Sequence, residues 1–341
     1  MLSRVKINNT TIELKDISAN VLNQYNIRPN DISIIQNEGL KTLWKFTHKN
    51  QIMCLKRFRH TKEKMTFSVN AQRYIHKKGG KVPSVYPNSL GEYITEYMGQ
   101  LFVLYEWIDG RDLNFTRAKD FTNGIEGLGY FHLISKGYRA PEGAKISSKL
   151  GRWPEQYNSM KKRMLKWKDV AKTSTTSSSY RVYLECIDDI IDLCDKAIIA
   201  LEQSSYGRLT NIDLHESSLC HQDYGSGNAV LSEKGIFVID LDGVTYDLPA
   251  RDLRKIIGKR AEKRGKWDID DINFILSYYD KNNKLTKEEK EVLKIDLMFP
   301  HWFFGTIKNI FSKNKQVNPG KIAKIAKLEK EKIAVLSHWK I

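Results

Sequence analysis

Cysteine is scarce in this 341-residue chain: Cys54, Cys186, Cys194 and Cys220 are the full set, and no two are spaced C-x-x-C. That excludes a zinc ribbon, and a reduced intracellular protein is the simplest reading. Cys186 and Cys194 fall in a helical pattern and read as core residues. No apolar run approaches the roughly 18 residues of a membrane span. The N-terminal MLSRVKINNTTIELKD has no apolar h-region, so a signal peptide is not expected and synthesis should be cytoplasmic. A full G-x-G-x-x-G is also missing. The turn Gln36–Thr42 holds only Gly39, whose neighbouring backbone amides are the expected phosphate cover.

What is present is positive charge and a sizeable apolar fraction. The formal net charge is +16 and 41% of residues are hydrophobic, enough for a substantial core in one large domain or two lobes. The charge favours acidic partners: nucleotide phosphates, anionic polymers or acidic proteins. Without zinc spacing or an aromatic-basic RNA motif, nucleic acid is not the expected partner.

The chain is organised around Cys220–Asp242. Within it His221, Asp223 and Asn228 are spaced H-x-D-x-x-x-x-N, and a short apolar run, Ile236–Ile239, then leads to Asp240-Leu241-Asp242-Gly243. Phosphoryl transfer needs this set. A hydroxyl is a poor nucleophile, so a base must reach its proton, and Asp223 fits. The phosphates need a magnesium ion held by hard oxygens, which Asn228 and Asp240 supply. Gly225 and Gly227 let the loop turn Asp223 and Asn228 to one side. A strand ending at Asp240 should deliver its carboxylate there, with Asp242 on the same face by the period of two.

Upstream, residues 1–30 read as a leader with little chemistry and a short helix near Asn20–Tyr25. Ile32–Ile35, Leu43–Thr47 and Ile52–Phe58 read as a three-stranded meander. Lys56 lies near its end, where kinase-like folds place a phosphate-binding lysine; the competing reading is a solvated lysine beside Arg57 and Arg59. A helix is expected over Thr61–Lys78. Its middle carries no glutamate for Lys56, leaving Glu63, Gln72 or some other arrangement. Glu92–Tyr97 and Leu101–Trp107 should form a hairpin. In a two-lobed kinase the second strand leads into the hinge, where the backbones of Glu106 and Ile108 would read an adenine edge.

Beyond Gly110 the pattern is helical: Asp120–Ser135, with His132 as a packed core residue, then Glu155–Lys172, about Tyr180–Gln203, Ile269–Tyr279, Lys287–Phe311 and Pro319–Trp339. The low-complexity segment Thr173–Ser179 reads as a loop. Asp252 is expected to cap its helix and brace the catalytic loop. The basic run from Arg251 to Lys266 reads as a solvated face, with an anionic-substrate surface as the sharper alternative. Phe299, Trp302, Phe303 and Phe304 should pack the C-terminal helices.

Taken together, LKRFR at Leu55, FVLYEWIDGRDL at Phe102, GLGYFHLISKGY at Gly127, GRWPEQY at Gly151, CHQDYGSGNAV at Cys220 and VIDLDGVTYDLPARDLRK at Val238 resemble the aminoglycoside-phosphotransferase and choline-kinase-like superfamily. Within it they are most similar to the CotS family of spore-coat proteins. The resemblance runs from about Ile32 onward. It implies an α+β, protein-kinase-like fold of two lobes: a small antiparallel sheet with one helix over 31–108, and a larger, mostly helical lobe over 109–341. It also implies ATP with Mg2+, a hydroxyl acceptor and residence in the spore coat with other coat proteins. Asp223 would then be the base, Asn228 and Asp240 the metal ligands, and Lys56 a phosphate contact. A kinase-like structural coat protein with weak or no turnover is the alternative.

Overall fold

The computed structural model describes residues 4–7, 10–38, 41–173, 177–313 and 315–341. Two compact units share the chain: Met1–Ser147 with Asp223–Thr245, and Ser148–Gln222 with Tyr246–Ile341.

The first unit begins with strands β1 (Arg4–Ile7) and β2 (Thr10–Glu13), an antiparallel pair. Helix α1 (Leu14–Asn23) follows and is longer than the short helix expected near Asn20. Its apolar face, Leu14, Ile17, Val21 and Leu22, is buried with Trp44, Phe46, Leu55 and Phe102. This segment is therefore part of the core: the i, i+3, i+7, i+8 spacing puts all four side chains on one stripe.

Strands β3 (Ile32–Glu38), β4 (Lys41–His48) and β5 (Gln51–Phe58) form the expected meander. In β4, Thr42, Trp44 and Phe46 are buried in alternation, the mark of a strand with one covered face. Between β4 and β5, Lys49 and Asn50 both take positive φ (47° and 64°), the tight turn that suits a two-residue hairpin. Helix α2 spans Lys62–Lys77. After β6 (Val85–Tyr86), strands β7 (Thr95–Tyr97) and β8 (Gln100–Glu106) turn at Met98 and Gly99, again both at positive φ. The sheet order is β3-β4-β5-β8-β6, with β7 paired to β8. β9 (Arg111–Asp112) and α3 (Ala118–Ser135) complete this pass, and His132 is fully buried on α3.

The second unit opens with α4 (Trp153–Lys172), α5 (Ser178–Glu202), α6 (Tyr206–Thr210) and the short strand β10 (Leu219–Cys220). Ser177 caps α5, accepting from Tyr180 N–H. Residues 174–176 of the expected loop lie outside the described residues. Cys186 and Cys194 are buried and unbridged on α5. The chain then returns to the first unit as β11 (Ala229–Ser232) and β12 (Gly235–Val238), an antiparallel hairpin that also pairs with β9.

The second unit ends with α7 (Ala250–Arg264), α8 (Ile269–Tyr279), α9 (Lys287–Met298), α10 (His301–Phe311) and α11 (Pro319–Ser337). The single helix expected over Lys287–Phe311 is two, because Pro300 cannot continue the hydrogen-bond ladder. Glu329 of α11 accepts from Trp302 N–H (2.9 Å) and Phe303 N–H (3.1 Å), satisfying the new N-terminus of α10. The aromatics pack as expected: Phe299 stacks on Tyr157 at 4.2 Å, and Trp167 on Phe304 and Phe311 at 5.5 Å each.

The basic run is neither a solvated face nor a free anionic-substrate surface throughout. Arg251 pairs with Asp247, Arg254 with Asp296, Arg260 and Arg264 with Asp271, and Lys266 with Asp268. Several of its charges thus tie α7 to its own unit.

Candidate active site

The β11–β12 register sets Asn228 opposite Ile239, the residue before Asp240. Ala229 pairs with Val238, so the residues just outside the two strands meet, and Ile239 N–H donates to Asn228 O at 3.1 Å. Strand β12 ends at Val238, two residues earlier than a strand delivering Asp240 would need. Asp240 instead sits in the left-handed region (φ 61°), and Leu241–Gly243 form a 3₁₀ turn. Asp240 and Asp242 share a target because of this turn, and the pleat of a strand is not the cause. A non-glycine residue in that region costs of order 1 kcal/mol and tends to occur at functional sites.

The shared target is Lys56. Its Nζ lies 2.6 Å from Asp240 Oδ1 and 2.6 Å from Asp242 Oδ2, and Lys41 Nζ lies 3.1 Å from Asp240 Oδ2. Lys56 is buried on β5 beneath the sheet register Leu43↔Lys56↔Val103. The solvated-lysine reading is therefore excluded. Burial by itself would lower the Lys56 pKa, but Asp242 and Asp240 outweigh it and the net shift is upward. Burial would likewise raise Asp240, yet Lys56 and Lys41 hold it well below the usual carboxylate range. Asp242 goes the other way, raised by burial against the pull of Lys56, with the Asp240 charge adding to the rise. Two neighbouring carboxylates thus differ in their hold on a proton, as like charges in one site must.

Helix α2 supplies neither candidate partner for Lys56. Glu63 is exposed at the helix start, and its carboxyl is lowered by a hydrogen bond to the Thr61 side chain. Gln72 Nε2 donates to Pro83 O at 2.7 Å.

Lys41, Lys56, Gln72, Glu106, Ile108, Asp112, Asn228, Asp240 and Asp242 all line one cavity of about 400 Å³. Leu43, Cys54, Tyr105, Val230 and Ile239 give it apolar walls. That size and mixture suit a small-molecule ligand. Burial pushes the Cys54 thiol up to about 12, against the pull of Lys56, so it behaves as a wall residue and not as a nucleophile. Gly110 lets the backbone pass close to β11: a Cβ there would lie 2.4 Å from Leu231 O. The Glu106 carboxylate is occupied, accepting from Ser84 N (3.2 Å) and Ser84 Oγ (3.0 Å), and its N–H donates to Ser84 O. Gly39 lies outside the described residues.

Asp223 is exposed and is not among the residues lining the cavity. It is tied to one that does: Asn228 Nδ2 donates to Asp223 O at 2.8 Å. Just before it, Gln222 takes φ 67°. In the second unit, Asp252 accepts from His221 N–H (2.6 Å) and Gln222 N–H (2.9 Å). Asp252 therefore braces the loop backbone as expected, while Pro249 holds the N-cap position of α7.

From the sequence Asp242 carries no role of its own, and Lys41 and Asp112 belong to no catalytic motif. The i, i+2 acidic pair after an apolar run was the available signal for Asp242. Nothing local marks Lys41, whose partner is 199 residues away.

A family model described as "Spore coat putative kinase YutH" matches residues 18–338, and the chain belongs to that family. Spore coat protein S of Bacillus subtilis (strain 168) is 26% identical over 302 residues, covering 89% of this chain and 86% of that protein. The CotS-type resemblance thus stands at the level of kinase-like spore-coat proteins. Among solved structures, an aminoglycoside phosphotransferase from Alicyclobacillus acidocaldarius is 15% identical with a TM-score of 0.72, covering 97% of each chain. The spectinomycin phosphotransferase APH(9)-Ia, solved with ADP and spectinomycin, is 15% identical with a TM-score of 0.58, covering 94% of this chain and 99% of its own. The fold is therefore the α+β fold of aminoglycoside phosphotransferases, an antiparallel sheet followed by a mainly helical region. Among the described residues, no helix is long and apolar enough to cross a membrane.

Proposed function

We propose that this spore-coat kinase-family chain is an ATP- and Mg2+-dependent phosphotransferase acting on a hydroxyl of a small molecule, a sugar or a coat component. Residues 31–108 would cover the nucleotide and 109–341 would carry the catalytic loop. The observation that supports this best is the convergence of Lys56, Asn228, Asp240 and Asp242 on one cavity. The ADP in the spectinomycin phosphotransferase is consistent with a nucleotide there.

The donor set fits magnesium. Asp240 is held ionised, and the Asn228 amide commits its N–H to Asp223 O, leaving its carbonyl oxygen as the available hard donor. Magnesium, when bound, supplies charge neutralisation at phosphate oxygens. A metal on Asp240 would compete with its two lysines, one on each carboxylate oxygen. Lys41, with a side chain 30% exposed against 9% for Lys56, is the partner expected to yield, turning its ammonium toward phosphate. Lys56 would remain as a fixed cation beside the phosphates. The backbone N–H of Ile108, which donates no hydrogen bond among the described residues, is offered to the base. Asp223, on its braced loop, would take the acceptor's hydroxyl proton. Other coat proteins are the expected partners and the spore coat the expected location.

A second reading, a kinase-like coat component with weak or no turnover, draws on the absence of an α2 carboxylate at Lys56. Two measurements separate them. ATP with magnesium should raise the melting temperature, and Asp240→Ala should abolish the rise. Labelled phosphate transfer to a library of hydroxyl acceptors should then collapse in Asp223→Asn. Equal rates in the two proteins would remove Asp223 as the base, and no transfer at all would favour the structural reading.

A further inference from the structure

A second concavity of the first unit, about 440 Å³, runs along α2 on residues that phosphoryl transfer leaves unused. Its lining includes Arg73, His76, Lys77 and Arg139 and no carboxylate. Arg73 is already oriented: its guanidinium stacks on the Tyr93 ring, 3.3 Å from the centroid, and Nη1 donates to Asn70 Oδ1 at 2.8 Å. Among the described residues, Arg73, Lys77 and Arg139 make no ion pair. This sets them apart from Arg111, Arg254 and Arg260, each matched by an aspartate. Like charges gathered in a concavity repel one another unless an anion compensates them.

We propose that this groove is a binding site for a phosphate-type dianion, carried on a small molecule or on a phosphorylated side chain. A fixed guanidinium fork with two further cations matches a tetrahedral oxyanion, whose oxygens accept several charge-assisted hydrogen bonds. A lone carboxylate brings one charge and two oxygens and would leave the remaining cations uncompensated. The volume exceeds that of a phosphate group, which leaves room for its carrier.

The groove also adjoins the first cavity through hydrogen bonds. His76 Nε2 lies 2.9 Å from Ser84 Oγ, Ser84 Oγ donates to Glu106 Oε2 at 3.0 Å, and Glu106 lines the first cavity. An anion that engages His76 therefore acts on a short chain ending where the nucleotide is proposed to bind. That coupling rests on the nucleotide reading; the anion site does not.

The test is calorimetric titration of the full chain with inorganic phosphate and with a phosphoserine peptide, at constant ionic strength. We expect saturable binding that survives Lys56→Met, which disables the first cavity, and weakens at least tenfold in Arg73→Gln/Arg139→Gln. Tighter binding of the peptide would make the carrier a protein segment; equal affinity would make it a free anion. Should Arg73→Gln disturb folding, Lys77→Gln/Arg139→Gln carries the same expectation. No saturable binding, or binding lost in Lys56→Met and kept in the arginine variant, would overturn the proposal. If nucleotide binds the wild type, coupling predicts that phosphate and nucleotide change each other's affinity by the same factor. Failure of that reciprocity alone would remove the coupling and leave the anion site standing.

Discussion

Lys56 in the first unit and Lys332 in the second are both buried lysines with carboxylate partners, yet their surroundings differ. Lys332 pairs with Glu329, donates to Phe299 O at 2.9 Å and lies 5.6 Å from the centre of the Trp267 ring. Glu329 in turn accepts from two backbone N–H groups at the start of α10. The charges are enclosed and their partners are all protein. Burial lowers Lys332 despite Glu329, whereas Lys56, facing a cavity with two carboxylates, is raised. The difference teaches how to tell a structural charge from a poised one. An enclosed pair has nothing to exchange with, while a pair that lines a cavity can trade one partner for a ligand.

Substitutions can break or sharpen that contrast. The largest effect should come from Asp240→Asn, which keeps the shape and removes the charge. Transfer should fall about a thousandfold, equivalent to about 4 kcal/mol of barrier, with a smaller loss of stability than Glu329→Ala causes, because Asp242 still faces Lys56. A large loss of stability would place Lys56 in the same class as Lys332. Glu329→Ala should do the opposite, costing about 3–5 kcal/mol of stability because a buried charge loses its partner. Chemical denaturation reads this directly, and an unchanged midpoint would dissolve the comparison.

A smaller effect concerns pH. His301 is lowered from 6.5 to about 3 by burial, with the Arg254 charge adding to this and Asp296 opposing it. Between about 6.5 and about 3 the unfolded chain binds a proton there that the native chain does not. Stability should therefore fall as pH falls through that window. Asp296, held low mainly by Arg254 and His301 against its own burial, loses stability in the same direction at still lower pH. Calorimetry at pH 7, 6, 5 and 4 should show a shallower decline in His301→Gln than in the wild type; parallel curves would exclude His301 as the source. The smallest effect belongs to the exposed pair Arg152–Glu155, where Arg152→Ala should change stability by under about 0.5 kcal/mol.

Much of the first unit could be read locally. β4 alternates between buried and half-buried residues, and the hairpin turns after β4 and β7 carry residues at positive φ. Pro300 is a local signal too, since its missing N–H breaks the helix between α9 and α10. What escaped were arrangements built across long separations. Lys56 meets Asp240 184 residues further along, so no window of sequence holds both. The polar stretches around α1 hid the four apolar residues that seat it in the core.

The amino-acid order by itself determined much of the element pattern and the local spacing of Asp223, Asn228 and Asp240, because hydrophobic period and turn chemistry act over a few residues. Tertiary structure alone decided which carboxylates hold Lys56, that Asp240 reaches it from a left-handed turn, and which cations of α2 make no ion pair among the described residues. Those outcomes depend on burial and on Coulomb interactions between groups that only packing brings within a few ångströms.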